Sequence, residues 1–225
     1  MTECRLNLKA IESTLRTLQR EFCNINQFFL DSRRDTFDDE VLHNMLAGYT
    51  YIDNAIAKGF DLLKLGNLSH LIELNTLVLC GEDPVKRDQF SAHLKATEQL
   101  FYDQHRGGIG DIMEWYEMHK DESIWRRSAG VYIRMLSRPQ LFFEGNHRTA
   151  ALVMSYLLAR EGQPPFVLSV DNAKAYFDPS SLIKKTRKDS LVTLFRRHKL
   201  KNYFADFLRM HCVTRHLLCR KSPLE

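Results

Sequence analysis

Apolar residues recur along this chain in steps of three and four. Leu8, Ile11, Leu15, Leu18, Phe22 and Ile25 fall on one face of a long amphipathic helix starting near Leu8. Thr36 and Asp39 have the shape of a capping box, and Val41, Leu42, Met45, Leu46, Tyr49, Ile52 and Ile56 carry a second helix to Gly59. Asn67 to Leu79 predicts a shorter element between Gly66 and Gly81, and Pro84 suits the first turn of a helix running to about Asp103. His105 to Gly110 reads as a loop, followed by helices over Asp111 to Lys120 and Glu122 to Ser137. Asn146 to Glu161 is apolar on every side, the mark of the most buried helix, and Gly162 with Pro164-Pro165 stops it. Val167 to Val170 is too short to nucleate a sheet. Asp171 to Tyr176, Pro179 to Lys188, Leu191 to His198 and Lys201 to about Leu218 complete the helical pattern. The expected fold class is all-α.

Composition adds little to this picture: 225 residues with 44% apolar and 27% charged side chains make an ordinary globular chain that needs neither disulfide nor structural metal. The five cysteines, Cys4, Cys23, Cys80, Cys212 and Cys219, form no C-x-x-C and no zinc spacing, so reduced thiols in a cytoplasmic protein are the economical expectation. Glu3, Arg5 and Lys9 interrupt any N-terminal apolar run, and Ala150 to Ala159 is about half the ~20 residues a membrane crossing needs. Neither a signal peptide nor a membrane contact is expected.

Charge is unevenly placed. Lys184 to Lys221 holds twelve Lys/Arg against Asp189 and Asp206, a local charge of +10 that leaves −6 on the remainder. Phe195, Tyr203, Phe204 and Phe207 alternate there with Arg196, Arg197, Lys199 and Lys201. This could serve a polyanion, but it is also the core stripe and solvated face of an amphipathic helix. With no recognised binding motif, nucleic acid is not the expected partner.

The chemistry concentrates in Gln140-Leu141-Phe142-Phe143-Glu144-Gly145-Asn146-His147-Arg148-Thr149, a loop feeding directly into the buried helix. A helix start presents unpaired backbone N–H groups and about half a positive charge, a ready phosphate site. Gly145 allows a positive φ, Arg148 can fork onto phosphate oxygens, and Glu144 is placed to hold a divalent cation. The alternative is structural: Glu144 or Asn146 caps the helix while Phe142 and Phe143 fill the core.

These residues resemble the Fic (Fido, Fic-Doc) motif, H-x-F-x-[DE]-G-N-[GK]-R, with Phe142, Glu144, Gly145, Asn146 and Arg148 at matching positions and Thr149-Ala150 continuing as in Doc-like members. The resemblance implies a helical Fic core, ATP held with Mg²⁺ at Glu144 and at the Gly145-Asn146-His147-Arg148 turn, and transfer of AMP or a related phosphate group to a protein hydroxyl. The motif is degenerate where the family places its base: Gln140 stands for the histidine, and an amide cannot accept a proton at neutral pH. His147 is the candidate substitute base, and the family's second arginine falls at Ala151. Upstream, Ser69, Ile72, Glu73, Asn75 and Leu77 resemble the S-x-x-I-E-G-N-x-L inhibitory helix, with Leu74 in place of glycine, which implies a regulatory role for Ser69, Glu73 and Asn75. Glu73 then either faces Arg148 or is an inert relic. The family's β-hairpin flap has no room between the predicted helices, where only Lys120 and Asp121 lie; the loop at Gly107 to Gly110 replaces it or the device is missing.

The expected organisation is an N-terminal helical extension (1–66), a Fic-like core (67–188) and a basic C-terminal extension (189–225). Two functions follow from the resemblance: a divergent protein-modifying nucleotidyltransferase, or a pseudoenzyme serving as a nucleotide-binding or protein-interaction module. A nucleotide and a target or partner protein are the expected partners in either case.

Overall fold

The computed structural model describes residues 2–103, 105, 108–184 and 191–221, with the side chains of 2, 3, 191–196, 220 and 221 excluded. Among these residues ten α-helices account for nearly all regular structure. In chain order they are α1 (Leu8–Asn24), α2 (Asp39–Ala57), α3 (Ser69–Cys80), α4 (Pro84–Gln89), α5 (Ser91–Tyr102), α6 (Ile109–Met118), α7 (Ile124–Leu136), α8 (Asn146–Arg160), α9 (Ala173–Ile183) and α10 (Leu191–His211).

Helix α8 is the axis of the molecule, with every residue from Thr149 to Ala159 buried. It packs against α7, α2 and α3, and α10 covers the far side of α7. The core is continuous from Leu6 to Leu208. After α8, Tyr49 and Ser155 both donate to the carbonyl of Phe166, at 2.7 and 2.6 Å, which holds the chain extended across α2 and α8 before α9 begins.

Several elements depart from the sequence pattern. The capping residue of α2 is Asp38, whose Oδ1 accepts from the Val41 N–H at 2.9 Å, so Thr36 and Asp39 form no capping box. The helix predicted from Pro84 breaks at Phe90 into α4 and α5. Asp171 to Tyr176 and Pro179 to Lys188 are not separate: α9 runs through Pro179, and Lys185 to Lys188 lie outside the described residues. The last two predicted helices are the single helix α10, which stops at His211 rather than near Leu218. Phe204 and Phe207 are buried stripe residues, and buried Lys201 pairs with Glu122 at 2.7 Å, so this part of the basic segment faces inward. The Phe195 and Arg196 side chains lie outside the described residues.

The largest departure is at the ends. Strands β1 (Thr2–Leu6) and β2 (Leu217–Lys221) pair antiparallel with Cys4 opposite Cys219, and these two cysteines are disulfide-bonded. The reduced-thiol expectation therefore fails for this pair, while Cys23, Cys80 and Cys212 are free. Asp53 of α2 anchors the strands to the bundle. Its buried carboxylate accepts from the Leu6 backbone N–H at 2.7 Å and from the Arg5 guanidinium at 3.0 Å. Among the described residues no helix is long and apolar enough to cross a membrane. Asp53→Ala leaves the buried Leu6 N–H without its acceptor and removes the Arg5–Asp53 ion pair, and should lower unfolding free energy by about 3 kcal/mol, read as a reduced urea midpoint with unchanged m-value.

Candidate functional site

Ser137 ends α7, and the loop to Gly145 returns the chain to the start of α8. One side chain closes this loop. The buried Asn146 amide accepts from the Phe142 N–H at 2.9 Å and donates to the Phe142 carbonyl at 2.6 Å. Phe142 is buried and stacks on Phe101 of α5, ring centroids 5.6 Å apart. At the hinge Gly145 has φ 72°, and a Cβ there would lie 2.9 Å from Asn75 Nδ2 and 3.1 Å from Val78 Cγ1, so glycine is required by both conformation and space. Asn75 Nδ2 donates to the Glu144 carbonyl and to Thr149 Oγ1, both at 3.0 Å, which straps α3 across the turn.

Neither Glu144 nor Asn146 caps α8: its N-cap is Gly145, with no side-chain bond to the first turn. No side chain therefore takes up the first backbone N–H groups of α8. Beside them opens a cavity of about 280 Å3 whose lining includes His147, Arg148 and Ala151 of α8. Arg33 and Arg34 enter from the loop before α2, and Lys184 from the end of α9. Phe22, Phe37, Phe166, Tyr176 and Phe177 form its aromatic walls.

The cavity lining is electropositive, with Arg33, Arg34, Arg148 and Lys184 against Asp35. Among the described residues no carboxylate stands within ion-pair distance of Arg34, Arg148 or Lys184, although most other half-buried cations pair, as Lys201 does with Glu122 and Arg134 with Asp111. Arg34 is held by the Phe177 carbonyl at 2.7 Å and by Ser181, and Arg148 by the Val78 carbonyl at 3.1 Å. Burial lowers the pKa of Arg148, and burial with the Arg34 charge lowers that of Lys184. His147 is depressed furthest, to about 3, by burial and then by the Lys184 and Arg34 charges. Its Nδ1 lies 3.2 Å from the Tyr132 hydroxyl, and its Nε2 is buried without a partner.

A solved structure, that of a Fic domain containing signaling protein from Bacteroides thetaiotaomicron VPI-5482, matches with a TM-score of 0.52 at 15% identity, over 93% of this chain and 88% of that one. The chain has the Fic fold. No family model matches the sequence, and no curated protein does.

Within this Fic-like fold the motif residues occupy distinct places. Gly145, Asn146, His147 and Arg148 form the start of α8, with His147 and Arg148 turned to the cavity. Gln140 is half-buried, donates to the Leu136 carbonyl at 3.3 Å and does not line the cavity. Glu144 is exposed and also lies outside the lining. Glu73 neither faces Arg148 nor stands idle: it pairs with Arg87 of α4 at 2.8 Å. Ser69 is exposed at the first residue of α3, and Asn75 supports the motif turn. Five residues, His119 to Ser123, separate α6 from α7 without a hairpin, and Gly107 lies outside the described residues.

Arg34, Lys184 and Tyr132 are the site residues that sequence reasoning passed over. Two sit in charge-rich segments with no motif, and Tyr132 was indistinguishable from a core aromatic.

His147 and His216 make the fold acid-sensitive. His216 is lowered to about 4 by burial and by Arg215. With folded pKa values below the ordinary 6.5, the unfolded chain binds more protons on acidification, so stability is complete above about pH 6.5 and falls below it. The His147 share is up to about 1.4 kcal/mol per pH unit. Urea unfolding at pH 7.0 and 5.0 should show the loss, and His147→Gln should remove about half of it, since both folded pKa values lie below this window.

Proposed function

We propose that the chain binds the phosphate end of a nucleotide at the start of α8 and in the adjoining cavity. It acts as a nucleotide-binding module on a Fic-like fold, without the family's base-catalysed transfer. The observation that carries this reading is the convergence of Arg34, Arg148 and Lys184, with no ion-pair partner among the described residues, beside a helix start without a side-chain cap. Half-buried cations whose nearby carboxylates, Asp35 among them, stand beyond ion-pair distance are expensive to hold, and an anionic ligand relieves them. The aromatic walls suit a flat base, and the guanidinium forks suit phosphate oxygens.

The same geometry argues against transfer chemistry. Gln140 offers an amide where the family uses a base, and its nitrogen is engaged with Leu136. His147 is held neutral, but a conjugate acid of pKa about 3 is poorly matched to taking a hydroxyl proton near pH 7. Glu144, the carboxylate the family resemblance assigns to magnesium, is exposed outside the cavity lining, so this reading does not rest on a Glu144-bound ion. Phosphate charge is met by side-chain cations instead. The output of such a module is an interaction with a partner protein that depends on whether the cavity is filled.

Calorimetric titration of AMP and ATP, each with and without Mg²⁺, tests binding. The wild type should bind in the micromolar to low-millimolar range, and Arg148→Ala should weaken it about tenfold or more, the worth of one charge-assisted bond. No heat at millimolar nucleotide overturns the reading. With labelled ATP and cell lysate, label transfer by the wild type overturns the non-catalytic assignment. Transfer appearing only with Gln140→His supports it.

A further inference from the structure

The hydrogen bonds behind His147 fix which of its nitrogens carries the proton. Ser180 Oγ donates to the Tyr176 carbonyl, and a carbonyl can only accept, so the serine's single hydrogen is committed there. The Tyr132 hydroxyl, 2.6 Å from Ser180 Oγ, must therefore donate to it. That uses the tyrosine's only hydrogen, so toward His147, 3.2 Å away, Tyr132 is an acceptor and Nδ1 must carry the proton. In the neutral ring Nε2 is then a bare lone pair, buried and without a partner, on a residue that lines the cavity. Without an anion in the cavity, burial and the Lys184 and Arg34 charges favour this neutral ring. Opposite a phosphate oxygen its lone pair would be repulsive.

On the reading that this cavity takes a nucleotide phosphate, we infer that binding is proton-linked: one proton enters with the anion and is shared between His147 Nε2 and a phosphate oxygen. The proton comes from solvent and no covalent bond changes. The bound species is a phosphate plus one proton, with its remaining negative charge on the three side-chain cations. His147 thus becomes a specificity-determining residue for an anion that can be protonated or can accept a hydrogen bond from imidazolium. The groups facing it are Tyr132 from α7, Tyr176 and Lys184 from α9, Arg34 from the loop before α2, with Arg33 and Asp35 beside it, and Arg148 on α8 itself; α10 contributes the apolar Phe204 behind Tyr132.

The sign follows from proton linkage. Above pH ~6.5 both free partners lack the proton, since the second phosphate pKa is about 6, and each pH unit of rise should weaken binding about tenfold. The experiment is titration of the full chain with AMP and a chelator at pH 6.5, 7.5 and 8.5, with a proton count at pH 7.5 from buffers of unlike ionisation heat. Wild type should take up close to one proton. His147→Gln brings its own amide donor and should flatten the dependence to less than twofold per unit. Tyr132→Phe keeps the ring but releases the tautomer, so Nε2–H can donate, and should flatten it likewise. Lys184→Arg, which stays charged throughout, should keep the slope and so separates lysine titration from the effect. AMP binding that is independent of pH, or a slope surviving in His147→Gln, overturns the proton link while leaving the nucleotide reading standing. Absence of AMP binding overturns both.

Discussion

A single buried amide holds the turn on which the site depends. Asn146 bonds both the N–H and the C=O of Phe142, so the loop is closed by a side chain where a backbone pair would normally do it. That closure delivers Gly145 at positive φ and starts α8 without a side-chain cap. It also seats Phe142 in the core, so the turn cannot shift without unpacking α5. Everything chemical about this region, including the direction of His147 and Arg148, follows from a loop that is part of the core.

The second organising fact is electrostatic imbalance. Elsewhere partly buried charges are matched: Arg5 with Asp53, Glu73 with Arg87, Lys201 with Glu122. At the cavity Arg34 and Arg148 are held by backbone carbonyls, Lys184 feels the Arg34 charge, and Asp35 is the one carboxylate among the described lining residues. A fold that pairs its charges in so many places has left a deficit where the aromatic walls leave space. The pairing of Glu73 with Arg87 belongs to the same logic. With Ala151 where the family has an arginine, the glutamate finds its partner on α4, and α3 touches the site through Asn75.

The helical architecture and the motif turn could be read from the sequence because their signals are local. Periodicity marked α1 and α2, apolarity on every side marked α8, and Gly145-Asn146 with Arg148 four residues after Glu144 marked the turn. Charges that join the site from elsewhere could not be read that way. Arg34 lies in an irregular segment and Lys184 beyond a proline-containing helix, and only tertiary packing brings both to α8. Pro179 and Phe90 misled for a related reason: whether a helix continues or breaks at one residue is decided by what the neighbouring helices cover. The terminal strands are five residues each, with partners more than two hundred positions apart, too short for pattern and too distant for local reasoning.

That terminal pairing makes the molecule a ring. With Cys4 joined to Cys219, nearly the whole chain lies inside one covalent loop. A protease cut in any exposed loop, such as the one around Leu65, yields a nicked protein still held as one covalent molecule. It would separate into two fragments only on unfolding with reduction. Because β1 and β2 lie side by side, α2 and α8, which β1 touches, support both strands at one place.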